Sequence, residues 1–270
     1  MSGTLFVVAT PIGNLEDITI RALRVLRDVS VIAAEDTRHT AKLLARHAIN
    51  TSTTSLHEHN EASKSPSLIA RLERGENVAL VSDAGTPTIS DPGGRLIRDA
   101  IAAGIRVEPI PGASAVTAAM AVAGLPTEGF SFHGFPPIRA KDRNLWFDRL
   151  VSIGGTAVFF EAPHRIQRTL SFLREKAGDC PIVVARELTK VHEELVRGPI
   201  SEVLQRLEHP RGEFTVIAEI GVIPENKAAE LVPSTSTKRE TIAALAKTYG
   251  VSTNDVYAAL ERLRNLVNNQ

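Results

Sequence analysis

The chain has 270 residues, with 31 basic and 31 acidic side chains and a formal net charge of zero. This length allows one large domain or two that each bury a core, and the balanced charge excludes the overall positive field of many nucleic-acid binders. A local basic patch would still suffice for RNA. The single cysteine, Cys180, excludes an internal disulfide and a cysteine-based metal cluster. With no membrane-length apolar run and no signal peptide, the composition predicts a cytoplasmic protein without a metal site or membrane contact.

The first half of the chain alternates between buried-strand and helical patterns. The predicted strands are residues 4–9, 29–34, 78–81 and 106–110. The predicted helices are residues 18–26, 40–47, 68–74, 96–103 and 114–123, the last of them rich in small side chains. This alternation is typical of βαβ units and predicts an α/β fold with a mostly parallel sheet.

The pattern changes near residues 126–137, which contain several prolines. Beyond them the predicted strands are 156–160, 182–185 and 214–220, and the predicted helices are 165–176 and 200–207. We therefore expect an N-terminal α/β domain at 1–124, a second α/β domain at 125–222, a linker at 223–237 and a helix-turn-helix-like tail at 238–270. The tail either packs as an appendage or dimer contact, or reads nucleic acid.

Three loops rich in glycine and proline follow predicted strands of the first domain. They are 10–14 (TPIGN), 82–94 (SDAGTPTISDPGG) and 109–114 (PIPGAS). Such loops are costly to order, and the carboxyl ends of strands in an open α/β sheet are where ligands bind. None contains a phosphate-binding P-loop or a dinucleotide fingerprint. The loops either form one ligand pocket or are structural turns.

Six blocks, in order, resemble the bacterial 16S rRNA cytidine 2′-O-methyltransferases, a branch of the tetrapyrrole methylase superfamily. The blocks are ATPIGNLEDIT, AAEDTRHT, VSDAGTPTISDPG, PIPGASAVTAA, FFEAPHR and ARELTKVHEE. The resemblance implies two α/β domains with S-adenosylmethionine in the cleft between them, and a homodimer. It also implies a 16S rRNA substrate within the 30S ribosomal subunit.

The same resemblance assigns residues to the cofactor. These are Pro11, Ala84, Gly85, Thr86, Ile89, Ser114, Ala115 and Phe160. Pro11 lies where relatives that modify tetrapyrroles carry a glycine-rich sequence, so the ATPIGN block fits the rRNA branch better.

Two acid–base clusters follow strands of the second domain and are the candidates for the chemistry. The predicted catalytic residues are Glu161, Arg186, Glu187 and Lys190. Either carboxylate could accept the proton of a ribose hydroxyl, as could Lys190 if its pKa were lowered. The alternative is an ion-pair network that only orders the loops.

Contacts with RNA are predicted at basic side chains near these loops, namely Arg38, His164 and Arg165. Arg38 could instead cap a helix or form an ion pair. A basic stretch from Arg139 to Arg149 also contains Trp146 and Phe147, which either stack on a base or belong to the core of a short helix.

Two other functions remain open on the sequence alone. One is methylation of a small tetrapyrrole, which would use the same fold and cofactor. The other is a non-catalytic RNA-binding factor in ribosome assembly that has kept the fold.

Overall fold

A computed structural model describes residues 2–207, 211–221, 242–243, 252–254 and 256–257. Residues 1–221 form one compact unit, and residues 222–270 form a second. Within its described part, the first unit contains two five-stranded sheets. No helix among the described residues has both the length and the apolar character needed to cross a bilayer.

The first sheet is entirely parallel and has the order β3-β2-β4-β1-β5. Its strands are β1 Thr4–Val8, β2 Val31–Ala34, β3 Thr53–Ser55, β4 Val78–Val81 and β5 Arg106–Ile110. Helices α1 Ile20–Asp28, α2 Thr37–Arg46, α3 Glu61–Glu73 and α4 Gly94–Ala102 alternate with them, and α5 Ala115–Ala123 follows β5. Every residue of β2 and β4 is buried, because helices cover both faces of the sheet.

The second sheet is mixed and has the order β6-β7-β10-β8-β9. Its strands are β6 Phe130–Phe132, β7 Gly155–Glu161, β8 Pro181–Arg186, β9 Glu194–Pro199 and β10 Phe214–Ile220. Strand β6 runs parallel to β7, and the other neighbours are antiparallel. Helices α6 Ala140–Ile153, α7 Ile166–Ala177 and α8 Ile200–Arg206 pack on one face.

Helix α5 follows the first sheet in the chain but packs against the second. Its buried Ala119 and Met120 lie in one cluster with Val158, Val183 and Ile217 of β7, β8 and β10. The small side chains predicted for this helix permit a close approach to the sheet. The α/β class and mostly parallel first sheet predicted from the sequence are confirmed.

The strands that sequence analysis missed are short or lie at sheet edges, and helix α6 was only one of two alternatives offered for residues 139–149. Strands β3, β6 and β9 were not predicted, and each is an edge strand with partly exposed residues. Helix α3 begins at Glu61, whereas the sequence predicted a start at residue 68. The prediction began too late because Pro66 lies within the helix, and proline usually counts against a helix interior.

The expected boundary between residues 124 and 125 falls between α5 and β6, and the two-domain division stays a prediction. The linker expected at 223–237 lies outside the described residues. So does most of the tail expected at 238–270. Within it, residues 242–243, 253–254 and 256–257 are helical, and the helix-turn-helix assignment stays a prediction.

The loop after β1 lies directly against the loop after β8. The Asn14 N–H donates to the Thr189 hydroxyl at 3.1 Å. A Cβ atom on Gly13 would come within 2.8 Å of the Leu188 carbonyl oxygen and 2.5 Å of Lys190 Cγ. Only glycine therefore fits at this point of contact between the two halves of the unit.

Gly13→Ala should weaken this contact, because the added methyl group overlaps a backbone atom that cannot move freely. We expect a loss of about 1–3 kcal/mol in the free energy of unfolding, measured by denaturant titration. Gly129→Ala is the control, because a Cβ atom there meets nothing within 4 Å. Equal stability of the two variants would contradict the close packing at Gly13.

Candidate active site

A cavity of about 400 Å³ lies where strand ends from both sheets meet. The loops after β1, β4 and β5 form one side of it. The carboxyl ends of β7 and β8 and the start of β10 form the other, and Phe214 pairs with both Glu161 and Arg186 at this edge. The cavity therefore occupies the edge at which the parallel sheet presents its strand ends to a ligand.

The three loops of the first sheet are joined by hydrogen bonds. Thr10 and Gly85 exchange backbone hydrogen bonds of 2.9 and 3.0 Å, and the Thr10 hydroxyl donates to the Ser82 carbonyl at 3.1 Å. The Thr86 hydroxyl donates to the Ala113 carbonyl at 3.4 Å. The irregular loop after β4 is thus fixed to the loops after β1 and β5.

Among the described residues other than glycine, left-handed backbone conformations are concentrated in the loops around the cavity. Gly85 has φ 83°, and Thr88 and Ser90, which are not glycines, have φ 74° and 67°. Across the cavity, Glu187 and Thr189 have φ 50° and 66°. At residues other than glycine such conformations cost about 1–3 kcal/mol each, and they cluster at functional sites.

Helix α5 points its first turn at the cavity. Ser114, Ala115 and Val116 line the wall, and the Ser114 side chain forms no capping hydrogen bond. The first N–H groups of a helix have no partner within it. This turn therefore offers backbone donors to a polar ligand.

The carboxylates Glu35, Asp83 and Asp91 line the cavity, and sequence analysis assigned none of them a role. Burial, together with the charges of Glu35 and Asp83, raises the pKa of Asp91 to about 6, against the effect of a hydrogen bond with Ser82. Burial and the neighbouring Asp83 and Asp36 charges likewise raise the pKa of Glu35, although the Asp83 N–H lowers it. The cavity wall therefore favours a ligand that carries positive charge.

Asp91→Asn should stabilise the protein above pH 6. The folded-state pKa of Asp91, about 6, exceeds its ordinary value of 3.8, so wild-type stability falls as pH rises between these values. We expect the unfolding midpoint of the variant to exceed that of the wild type at pH 7.5, with the difference shrinking toward pH 4. Asp142→Asn, at an exposed position on α6, is the control. A pH-independent difference would contradict the assignment.

Glu161 lies at the cavity but both of its oxygens are already engaged. Oε1 accepts from the Ala162 N–H at 2.7 Å and lies 3.3 Å from Arg165 Nε, and Oε2 accepts from the Thr169 hydroxyl at 2.5 Å. Its side chain is fully buried. The geometry holds Glu161 in a fixed network in which it orients Arg165.

The other predicted acid–base pair forms a compact cluster beside the cavity. Lys190 Nζ donates to Glu187 Oε1 at 2.9 Å and to Glu213 Oε2 at 3.1 Å. Burial opposes ionisation of both groups, but these hydrogen bonds raise the pKa of Lys190 and lower that of Glu187. A lysine base needs a lowered pKa, so the raised pKa of Lys190 does not favour that role.

Lys190 lines a second cavity of about 230 Å³ that shares Ile12, Asp83, Ala84 and Glu213 with the first. Pro11 lines this second cavity, whereas the other predicted cofactor residues line the first.

Arg186 is the last residue of β8, and its guanidinium donates to the Arg211 carbonyl at 2.7 Å and to Glu194 at 3.1 Å.

The residues predicted for RNA contact differ in how they are held. Arg38 is 90% exposed and forms a bidentate pair with Asp36, the N-cap residue of α2, with distances of 3.1 and 2.7 Å. Hydrogen bonds from Arg38 hold the pKa of Asp36 well below its usual range. His164 is exposed, and Arg165 is mostly buried beside Glu161.

The aromatic pair on α6 belongs to the core, which resolves an alternative left open by the sequence. Phe147 is fully buried, and Trp146 packs edge-on against both Phe147 and Phe159. The Trp146 indole donates to the His133 carbonyl at 3.2 Å. Neither ring is available to stack on a base.

Among the described residues, no group of three or more His, Cys, Asp or Glu side chains could hold a metal ion.

A model of the Tetrapyrrole (Corrin/Porphyrin) Methylases family matches residues 4–204. Solved structures of similar fold include a uroporphyrin III C-methyltransferase from Thermus thermophilus, with a TM-score of 0.58 and 18% identity, covering 81% of this chain and 98% of that one. Another is a diphthine synthase, with a TM-score of 0.62 and 17% identity, covering 80% of this chain and 90% of that one. At these identities the likeness concerns the fold.

Curated relatives are much more similar in sequence. A protein of Pseudomonas aeruginosa named ribosomal RNA small subunit methyltransferase I is 47% identical over 231 residues, covering 84% of this chain and 82% of that protein. A protein of the same name from Pasteurella multocida is 40% identical over 270 residues, covering 95% and 96%. The chain therefore belongs to the tetrapyrrole methylase family, in the branch named ribosomal RNA small subunit methyltransferase I.

Proposed function

We propose that this protein transfers a methyl group from S-adenosylmethionine to the 2′-hydroxyl of a cytidine ribose in 16S rRNA. The observation that carries the proposal is the cavity of about 400 Å³, whose wall contains all the predicted cofactor residues except Pro11. The similarity to rRNA methyltransferases over most of the chain supports the substrate class. We extend the proposal to the 30S subunit as substrate, a homodimer and a cytoplasmic location.

The residues around the cavity fit the cofactor in size and in chemistry. Its volume falls within the range of about 300–1,000 Å³ usual for small-ligand pockets. Apolar side chains such as Ile12, Ile89 and Leu188 suit a nucleoside. The first turn of α5 offers N–H donors, and the nearby carboxylates suit a cation.

S-adenosylmethionine supplies an activated methyl group when it is bound. In the proposal, Ala84, Gly85 and Thr86 bind it with backbone groups, and Ser114 and Ala115 contribute the start of α5. The hydrogen bonds between Thr10 and Gly85 fix this wall before any ligand enters. A rigid wall of this kind lowers the cost of orienting two reactants.

We assign Lys190 to the substrate phosphate. The Glu187 and Glu213 carboxylates stabilise its charged form, which suits an anion better than it suits proton removal. Glu187 keeps the ammonium group in place, and its own lowered pKa makes it a weak base. Positioning by the loops then supplies much of the rate, and the catalytic assignment of Glu161, Arg186 and Glu187 stays a prediction.

Gly85→Val should abolish most cofactor binding while the fold is retained. Gly85 has φ 83°, a conformation that a β-branched residue strongly disfavours, and it exchanges hydrogen bonds with Thr10 at the cavity wall. We expect at least a tenfold weaker affinity for S-adenosylmethionine by calorimetry, a factor that corresponds to about 1.4 kcal/mol.

Gly104→Val is the matched control for backbone strain. Gly104 has φ 67°, and a Cβ atom there meets nothing within 4 Å, so the Gly104→Val variant should lose stability but keep cofactor affinity.

The activity itself is tested with labelled S-adenosylmethionine and 30S subunits, free rRNA or a tetrapyrrole. Label released by nuclease as 2′-O-methylcytidine supports the proposal. Label in the tetrapyrrole alone, or in no acceptor, would overturn it.

Lys190→Met should weaken binding of the ribosomal substrate without changing cofactor affinity. If Lys190 contacts a phosphate, its loss should make the dependence of log affinity for RNA on log salt concentration less steep, by about one unit of slope. Lys64→Met, on the exposed face of α3, should leave this slope unchanged. An unchanged slope in Lys190→Met would contradict the assignment. A wild-type methylation rate that keeps rising into the alkaline range would also contradict it, because that behaviour indicates a lysine base.

A further inference from the structure

Phe135 is an exposed aromatic side chain at the cavity wall that sequence analysis did not assign. Its residue is 51% exposed, and its ring centroid lies 5.4 Å from that of Phe160 in a tilted contact. Phe214, which also lines the cavity, is only 3% exposed. An aromatic ring that lines a ligand cavity and is still half exposed has a face free to contact a ligand.

The backbone on both sides of Phe135 is held in place. The Gly134 carbonyl accepts from the Phe160 N–H at 2.9 Å, which ties the segment to β7. The Pro136 carbonyl accepts a hydrogen bond from the Arg165 guanidinium. The ring is therefore presented on a fixed support, although it follows the short edge strand β6.

Arg165 is itself positioned by the buried network described above. Its Nε lies 3.3 Å from Glu161 Oε1, and the Ala162 N–H and the Thr169 hydroxyl hold the Glu161 carboxylate. The chain of contacts runs from the interior of α7 through Glu161 and Arg165 to the segment that carries Phe135. Removal of any link would loosen the aromatic ring.

Positive charge follows Phe135 in the chain. Arg139 and Lys141 are exposed at the start of α6 and take part in none of the ion pairs found among the described residues. An aromatic ring with cations nearby is the combination by which proteins bind single-stranded RNA, because the ring stacks on a base while the cations attract phosphate.

We propose that Phe135 is the stacking platform for the nucleobase of the nucleotide that is methylated, and that Glu161 and Arg165 position it. The inference rests on the proposed function, since it takes the acceptor to be an unpaired nucleotide of RNA. Stacking on the face of Phe135 holds the base at the mouth of the cavity, so that its ribose hydroxyl enters. Phe135 contacts substrate, whereas Glu161 and Arg165 act through Phe135.

The test compares Phe135→Ala, Phe135→Leu and Phe135→Tyr on 30S subunits. Loss of one base–aromatic stack should lower kcat/KM about tenfold or more in the Ala and Leu variants, chiefly through KM. Tyr keeps an aromatic face and should restore activity to near that of the wild type. Ile138→Ala is the control, because Ile138 is 81% exposed on the same segment but does not line the cavity.

Calorimetry with S-adenosylmethionine separates the base platform from a wall of the cofactor site. Unchanged cofactor affinity in Phe135→Ala, together with the raised KM, supports the inference. A parallel loss of cofactor affinity would overturn it, as would equal activity of the Leu and Tyr variants or full activity of Phe135→Ala. A wild-type protein that fails to methylate 30S subunits would instead refute the proposed function.

The positioning part is tested by Arg165→Lys alone and combined with Phe135→Ala. Lysine keeps the charge but lacks the planar guanidinium fork, in which Nε faces Glu161 while a terminal nitrogen donates to the Pro136 carbonyl, so it cannot reproduce both contacts in that geometry. We expect the single variant to raise KM and the double variant to be no worse than Phe135→Ala. Additive losses, or no loss from Arg165→Lys, would show that Arg165 does not act through Phe135.

Discussion

The two hydrogen bonds exchanged by the backbones of Thr10 and Gly85 are the constraint on which the site depends. They join the loop after β1 to the irregular loop after its neighbour β4, the central strand of the sheet. Thr86 extends the connection to the loop after β5. Without these bonds, the glycines and prolines of the β4 loop would leave a segment of many conformations. With them, the same residues form a fixed wall with backbone groups facing a cavity.

The opposite wall is brought close by packing that tolerates little change. Helix α5 leaves the first sheet and buries its small side chains on the second, so one element serves both the first sheet's cavity edge and the second sheet's core. Gly13 and Asn14 then contact the loop after β8. Two independent contacts thus bring the walls of the cavity together. Helix α5 packs on the second sheet, and Gly13 allows the loop after β1 to contact the loop after β8.

Several features of the cavity reduce stability in the absence of a ligand. Three carboxylates lie close enough together that burial and their neighbours' charges raise the pKa of Asp91 and Glu35. Phe135 stays half exposed, and Thr88 and Ser90 hold left-handed conformations. Each is unfavourable for the fold alone, and each is suited to holding a cationic cofactor beside a nucleotide.

The sequence by itself determined the elements of the core. Strands β4, β5 and β10 were predicted with their observed limits, and the Gly85 and Ser114 loops, which the sequence offered as candidates for one ligand pocket, line the same cavity. These features are local, because apolar runs and loop composition are properties of neighbouring residues. The edge strands and the start of α3 were missed, since partial exposure and Pro66 conceal their patterns.

Tertiary structure alone decided what depends on residues far apart in the chain. It placed Trp146 and Phe147 in the core and left Phe135 at the cavity, although all three are aromatic residues near basic ones. It also added Glu213 to the pair of Glu187 and Lys190, and both hydrogen bonds raise the pKa of the lysine where the sequence alone allowed a lowered one. Burial and ion pairing are set by contacts across the fold, and local composition carries no information about those partners.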